Sequence, residues 1–379
     1  MKKYLLSAAI AAVLALPGAA LAQTNEIVIG ITITTTGPAA ALGIPERNSL
    51  EFVAKEIGGV PLKLIVLDDA GDPTAATTNA RRFVTESKAD IIMGSSTTPP
   101  TIAVSNVANE ANIPHFGLAP FPITPERAKW SVSMPQPIPI VGKVMYDHMK
   151  KNNIKTVGYI GYSDSYGDLW VNDFKNQAVP MGMQLVTEER FARPDTSVAG
   201  QVLKLLAANP DAVLVGASGT AAALPQTTLR ERGYKGLIYQ THGAASMDFI
   251  RIAGAAAEGV LMASGPVMDP EDQPDESQTK RPGLALNKAY EAKYGPRSQF
   301  AGHSYDAFLV LERVVPVALK KAKPGTPEFR EAIRQALLTE REIAASQGVY
   351  NFTEKDRYGL DDRARIILTV KDGKYVPAK

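Results

Sequence analysis

Two successive runs of alternating strand-like and helix-like segments constrain this chain more than any other sequence feature. The first run begins at the β-branched stretch Ile27–Ile33, and the second begins at Val157–Ile160. In each run, apolar segments of strand length alternate with amphipathic segments of helix length. Such alternation predicts βαβ units, in which parallel strands are covered by helices on both faces. The restart near residue 150 therefore predicts an α/β protein with two doubly wound, parallel-sheet lobes.

The alternation stops after residue 265. Gly265–Gly283 is a connection rich in proline, glycine and acidic residues. Three helix-like segments follow without strands between them: Leu284–Tyr294, Ser304–Lys320 and Pro327–Leu338. They have no sheet of their own, so we expect them to cover the first lobe. The last strand-like runs, Arg365–Val370 and Lys374–Pro377, are expected to complete the second lobe.

The N-terminal residues have the pattern of an export signal. Lys2 and Lys3 precede an apolar run, Tyr4–Leu16, and the sequence Ala-Leu-Ala at 20–22 is a cleavage signal before Gln23. The run is shorter than the roughly 20 residues that a membrane span needs, although an N-terminal anchor is the alternative. We predict that residues 1–22 are a signal peptide and that the product is periplasmic, with no membrane anchor.

Composition and motifs exclude several classes of function. The sequence has no cysteine, which excludes disulfides, thiolate metal sites, cysteine nucleophiles and lipid-anchored cysteines. It has 41 basic and 39 acidic residues, and loss of Lys2 and Lys3 would leave a net charge of zero, which does not favour nucleic acid. It lacks the motifs of phosphate-binding loops, dinucleotide-binding folds, zinc proteases and serine hydrolases. We predict no cofactor, no metal and no nucleic-acid partner; an enzyme on this fold is kept as a minor alternative.

A turn rich in serine and threonine is the strongest local indication of a binding site. Residues 94–99, Gly-Ser-Ser-Thr-Thr-Pro, directly follow a predicted strand and open a predicted helix. A helix N-terminus at the carboxyl edge of a parallel sheet presents unpaired N–H groups and binds anions. A simple Ser/Thr helix cap fits the same pattern equally well.

Several short segments occur in one order along essentially the whole mature chain. They are Gly-Ile-Thr at 30–32, Thr-Gly-Pro at 36–38, Leu-Ile-Val-Leu-Asp-Asp at 64–69 with Asp-Pro at 72–73, the turn at 94–98, Asp-Ser-Tyr-Gly-Asp at 164–168, and Ile-Ala-Gly at 252–254 with Ala-Glu-Gly-Val at 257–260. This order resembles that of the type I periplasmic solute-binding proteins of the leucine/isoleucine/valine class.

The resemblance implies a two-lobed protein with a three-crossover hinge. We place the crossovers near residues 140, 265 and 345. The N-terminal lobe is then 23–140 plus 265–345, and the C-terminal lobe is 141–264 plus 346–379. The resemblance also implies that a ligand binds between the lobes, that they close over it by a hinge motion, and that an ABC permease in the inner membrane receives it. We expect a monomer.

The resemblance also implies the position of the ligand. Ser95 and Ser96 correspond to the family residues that hold the ligand carboxylate, and Tyr166 corresponds to a tyrosine that packs over the ligand. Leu42 and Phe300 correspond to residues that line the pocket for the ligand side chain. These residues agree with a ligand that has a carboxylate and an apolar body.

Two positions depart from the pattern of the amino-acid-binding relatives. The turn at 119–124, which contacts the ligand amino group in the family, is longer here; we place Ala119 and Phe121 in the pocket. The acidic residue that pairs the ligand ammonium is replaced by His242, and the tyrosine expected near Ser218 is missing. Burying an ammonium without an anionic partner costs several kcal/mol.

His242 cannot serve as an anion, but it can bond a phenol, a hydroxyl or a second carboxylate. The sequence therefore predicts a periplasmic solute-binding protein for a small hydrophobic or aromatic carboxylate without an α-amino group. If Asp164 or Glu46 supplied the missing negative charge, the ligand would instead be a branched-chain or other hydrophobic amino acid. A ligand-sensing subunit of a membrane receptor is the alternative from another functional class.

Overall fold

The computed structural model describes residues 26–378, which form two large sheets covered by helices. The strands of the first sheet are β1 (Ile27–Ile33), β2 (Glu56–Ile57), β3 (Val60–Asp68), β4 (Ile91–Met93), β5 (His115–Gly117) and β6 (Ser131–Ser133). They pair in the order β2-β3-β1-β4-β5-β6, and all neighbours are parallel except β2 and β3.

The second sheet has seven strands. They are β7 (Thr156–Tyr162), β8 (Gln184–Phe191), β9 (Ala212–Gly216), β10 (Leu237–Gln240), β11 (Leu261–Ser264), β14 (Ile366–Lys371) and β15 (Lys374–Pro377), and they pair in the order β15-β14-β11-β10-β9-β7-β8. Strand β14 pairs antiparallel with β11 and with β15, and all other neighbours are parallel. A small hairpin joins β12 (Ile343–Ala344) to β13 (Val349–Tyr350).

Helices cover both faces of the large sheets. They are α1 (Ala40–Ser49), α2 (Pro73–Thr85), α3 (Thr98–Ala111), α4 (Pro125–Ala128), α5 (Ile138–Lys151), α6 (Ser165–Gln177), α7 (Ala199–Ala208), α8 (Ala223–Glu231), α9 (Met247–Ala253), α10 (Lys280–Tyr294), α11 (Gln299–Leu319) and α12 (Pro327–Thr339). The doubly wound α/β fold predicted from the alternation is confirmed. Among the residues described, no helix is both long and apolar enough to span a membrane. The predicted signal peptide lies outside them.

Strand β1 shows why the first sheet needs helices on both sides. All seven of its residues are buried. Its isoleucines pack with α11 and α12 on one face, whereas Val28 packs with α2 and α3 on the other. Gly30 permits the close approach of α2, since a Cβ there would lie 2.3 Å from Cγ of Phe83. A strand buried on both faces accounts for the continuous apolar run in the sequence.

The late helices do not all pack as the sequence suggested. Helices α11 and α12 bury their apolar faces against the first sheet. Helix α10 was expected there as well, but its buried residues Leu286 and Tyr290 join the core of the second lobe. The connection before α10 has a short helical turn, Pro266–Met268, and Val267 and Met268 of that turn belong to the same core.

Residues that follow position 345, where we placed the third crossover, still pack with the first lobe. Tyr350, Phe352 and Leu360 are buried in the core of the first lobe, beside residues of β1 and α11. The chain joins the second sheet only at Ile366, where β14 pairs with β11. We therefore propose that the third crossover is near residue 365.

Three fully buried glutamines connect segments that are far apart in sequence. Gln136 Nε2 donates to Gln347 Oε1 at 2.9 Å, and Gln347 Nε2 donates to the carbonyl oxygen of Gln299 at 2.6 Å. Gln299 Oε1 accepts hydrogen bonds from the backbone N–H of Gly265 and from Ser264 Oγ. These bonds tie residues before α5, after β11 and after β12 into one buried network, which we call the glutamine network.

We predict that Gln347→Leu destabilises the folded protein. The change leaves the Gln136 amide and the Gln299 carbonyl short of a partner, at a cost of about 1–3 kcal/mol for each buried polar group left unpaired. Urea unfolding would measure the change. The control is Gln184→Leu at the exposed first residue of β8. Equal stability of the two variants would contradict a structural role for the glutamine network.

Candidate ligand-binding site

The two lobes enclose a cavity with about 320 Å³ of empty space. Part of this space is open to solvent, and the enclosed room is about 20 Å³, enough for about one water molecule, so the cleft must widen to admit a larger ligand. The first lobe supplies Leu42, Ser96, Thr97, Thr98, Leu118, Ala119, Pro120, Phe300 and His303. The second lobe supplies Tyr166, Arg193, Ser218, His242 and Gly243. Because both lobes form the lining, the cavity exists only when they are closed.

Most of the predicted ligand-binding residues meet in this cavity. Those in its lining are Leu42, Ser96, Ala119, Tyr166, Ser218, His242 and Phe300. Ser95 and Phe121 are buried outside the lining. The structure thus brings together residues that are far apart in sequence, and their contact with a ligand stays a prediction.

The predicted carboxylate anchors already form hydrogen bonds with buried acids. Ser95 Oγ donates to Asp69 Oδ2 at 2.7 Å, and Ser96 Oγ donates to Glu46 Oε2 at 2.5 Å. Ser96 Oγ also accepts from the backbone N–H of Thr34 at 3.0 Å. A hydroxyl has a single proton to donate. In this arrangement both protons are used within the first lobe, and contact of these two hydroxyls with a ligand carboxylate stays a prediction.

Phe121 has a structural position instead of the expected pocket position. Its ring packs edge-on against the imidazole of His115, with centroids 5.8 Å apart. Its backbone N–H and carbonyl both bond the hydroxyl of Tyr358. The longer turn at 119–124 therefore directs this ring into the first lobe, while Ala119 and Pro120 face the cavity.

Two neutral histidines face the cavity from opposite lobes. His242 lies in the short helical turn His242–Ala244 and packs beside Trp170, with ring centroids 5.7 Å apart. Burial lowers the pKa of His242 to about 3. Burial, and to a smaller extent His242, lowers the pKa of His303 to about 3. Both rings are 2% exposed, so they can act as hydrogen-bonding groups without charge at neutral pH.

Several ring nitrogens in this cavity have no partner among residues 26–378. These are Nδ1 of His242 and both ring nitrogens of His303, although the backbone of Leu118 lies close enough to the His303 ring to oppose the fall in its pKa. His303 Nδ1 lies 3.9 Å from Glu46 Oε1, which also has no hydrogen-bond partner within the described chain. Buried polar groups are nearly always paired. The unpaired nitrogens therefore indicate where a ligand or water would bond.

Arg193 lines the cavity, and the sequence analysis did not single it out. It lies in the loop between β8 and α7, and its guanidinium carbon is 4.0 Å from the centre of the Tyr162 ring. Its Nε donates to Asp164 Oδ2 at 2.7 Å, and its Nη1 donates to Ser218 Oγ at 3.3 Å. No local motif marks it, although Asp164 and Ser218 were both singled out from the sequence.

The structure does not offer the substitute acids to a ligand ammonium. Asp164 is paired with Arg193. Glu46 is fully buried outside the cavity lining, and burial raises its pKa well above its usual range, which favours the neutral form. Nor do residues 26–378 contain a group of three acidic or imidazole side chains placed to hold a metal.

Residues 26–371 match the family model of the periplasmic binding proteins, and the chain belongs to that family. This confirms the resemblance stated above and identifies the chain as a solute-binding protein. An extracellular ligand-binding receptor from Rhodopseudomonas palustris HaA2 is 82% identical, with a TM-score of 0.93 over 93% of this chain and 100% of that one. The Leu/Ile/Val-binding protein homolog 7 of Brucella melitensis is 28% identical over 99% of this chain and 96% of its own length.

A more distant solved structure shares the fold. It is a solute-binding protein of an ABC transporter from Rhodopseudomonas palustris in complex with benzoate. It is 19% identical, with a TM-score of 0.78 over 93% of this chain and 95% of that chain.

We predict that His242 and His303 stay neutral at pH 5, where an exposed imidazole of pKa about 6.5 is mostly protonated. The unfolded chain takes up these protons near pH 6.5 and the folded chain only near pH 3, so folding stability falls as the pH falls through this window. Proton NMR of the imidazole signals would test this, with His242→Gln and His303→Gln to assign them. Titration of both rings near pH 6.5 would contradict a closed, dry cleft.

Proposed function

We propose that this solute-binding protein captures a small hydrophobic or aromatic carboxylate and delivers it to an ABC permease in the inner membrane. We further propose that it is exported with removal of residues 1–22, remains monomeric, and catalyses no reaction. The cavity suits capture, because both lobes supply its lining and must close to complete it.

The charge inside the cavity is the observation that carries this proposal. Arg193 supplies a guanidinium, and the two histidines are neutral. The lining contains no aspartate or glutamate among the described residues. An α-amino acid needs an anionic partner for its ammonium, whereas a simple carboxylate needs only cationic or neutral donors.

Apolar side chains supply the space for a hydrophobic body. Leu42 and Phe300 form a small buried cluster with Ala39, and Leu118 and Pro120 complete this side of the cavity. Tyr166 lies on the opposite lobe with its hydroxyl bonded to Thr241. We expect the apolar body of the ligand to lie between these surfaces when the cleft widens, and the free nitrogen of His242 to bond a polar substituent.

Two structures of the same fold support an aromatic carboxylate by analogy. One was solved with benzoate and the other with 3,4-dihydroxy benzoic acid. The amino-acid alternative has support of the same kind, because a leucine-binding protein from Thermotoga maritima shares the fold at 22% identity. The missing acid in the cavity favours the carboxylate.

We predict that aromatic carboxylates raise the melting temperature and leucine does not. The panel is benzoate, phenylacetate, 3-phenylpropanoate, hexanoate and leucine. A ligand at 100 times its Kd adds about 2.7 kcal/mol of stability, which a thermal-shift assay detects readily. Calorimetric titration would then measure affinity. Micromolar binding of leucine without binding of any other panel member would contradict the carboxylate proposal and leave solute binding intact.

We also predict that His242→Glu reverses the preference of the site. A carboxylate at this position would repel an anionic ligand and could pair an ammonium, so aromatic acid binding should be lost and leucine binding should appear. His242→Gln is the control, because it keeps a hydrogen-bonding group without charge. Unchanged aromatic acid binding by His242→Glu would show that position 242 does not face the ligand.

A further inference from the structure

We propose that Arg193, on the second lobe, is the residue that binds the ligand carboxylate and selects anionic ligands. This inference rests on the proposed function, since it assumes that the ligand is a carboxylate. It differs from the expectation that the turn at 94–98 on the first lobe provides the anchor.

Arg193 is held rigidly in the position that this role needs. Its side chain is 18% exposed, stacked on Tyr162 and fixed at Nε by the Asp164 carboxylate. Asp164 is itself fixed, because it accepts hydrogen bonds from the backbone N–H groups of Tyr166 and Gly167 at the start of α6. A planar guanidinium held on two sides loses little conformational freedom when it binds a ligand.

The guanidinium keeps enough free donors for a carboxylate. An arginine side chain has five N–H donors. Among residues 26–378, Nε uses one on Asp164, Nη1 uses one on Ser218, and Nη2 makes no hydrogen bond. Three donors therefore remain, on the two terminal nitrogens that match the two oxygens of a carboxylate.

The turn at 94–98 on the first lobe has fewer free side-chain donors than Arg193. The hydroxyls of Ser95 and Ser96 donate to Asp69 and Glu46, and that of Thr98 donates to the carbonyl of Pro120 at 2.7 Å. Thr97 Oγ1 is buried and has no partner within the described residues. Thr97 is consequently the competing anchor, and the experiment must separate it from Arg193.

An anchor on the second lobe gives the two lobes different tasks. The charged end of the ligand would bind Arg193, while the apolar body would pack on Leu42 and Phe300 of the first lobe. If only one end of the ligand were bound, the other end would remain in the open cleft without a protein partner. A ligand with both features would therefore stabilise the closed form more than a ligand with one.

The test compares each carboxylate with its neutral primary amide in calorimetric titrations. The probes are benzoate, phenylacetate and 3-phenylpropanoate with benzamide, phenylacetamide and 3-phenylpropanamide. Arg193→Gln should weaken carboxylate binding about 10- to 150-fold, the equivalent of about 1.5–3 kcal/mol for a lost hydrogen bond to a charged group, and should change amide binding little. Arg193→Lys should recover only part of the loss, because lysine keeps the charge without the planar fork.

The control is Arg281→Gln, which removes the same charge from an exposed position in α10. An unchanged ratio of carboxylate to amide affinity in Arg193→Gln would overturn the inference. If Thr97→Val instead lowered the ratio of carboxylate to amide affinity, the carboxylate would lie at the start of α3. If the wild-type protein bound neither the three carboxylates nor hexanoate, the proposed function itself would fail, which is a different outcome from an unchanged ratio.

Discussion

A polar group in the closed cleft is cut off from water, and this constraint determines the arrangement around the site. An unpaired buried polar group costs about 1–3 kcal/mol, so each one is held by a neighbour or left for a ligand. Asp69 shows the first case: its carboxylate accepts from the hydroxyls of Thr32, Thr34 and Ser95 and from the backbone N–H of Gly71. The free nitrogens of His242 and His303 show the second case.

The same constraint explains how far the sequence could predict the site. The alternation of apolar and amphipathic segments predicted the α/β fold, because strands buried on both faces need continuous apolar runs, as β1 has. The family pattern then named seven of the fourteen residues that line the cavity. It could not show that Ser95 bonds Asp69, 26 residues earlier, or that Ser96 bonds Glu46, 50 residues earlier. Which hydroxyls remain free depends on contacts between distant segments.

Arg193 was missed for a related reason. A loop arginine between a strand and a helix is usually a solvated surface residue, and nothing adjacent in the sequence distinguishes this one. Its position depends on Tyr162, Asp164 and Ser218, which come from the ends of two strands and the start of a helix. Parallel strands bring such ends to one edge of the sheet. The fold therefore offered the only useful indication, since Arg193 is a basic residue just after a strand, at the sheet edge that faces the cleft.

The side chain of Gln299 links the His242 segment to the buried glutamine network. Gln299 Nε2 donates to the backbone carbonyl of His242 at 3.1 Å, while its Oε1 bonds Ser264 and Gly265 at the second crossover. The backbone carbonyl of Gln299 in turn accepts from Gln347, which follows β12. A shift of the His242 segment therefore changes a bond to Gln299, and through it the glutamine network near residues 136, 265 and 347. We therefore expect movement of the His242 segment to be coupled by direct hydrogen bonds to the first two predicted crossovers, near residues 140 and 265.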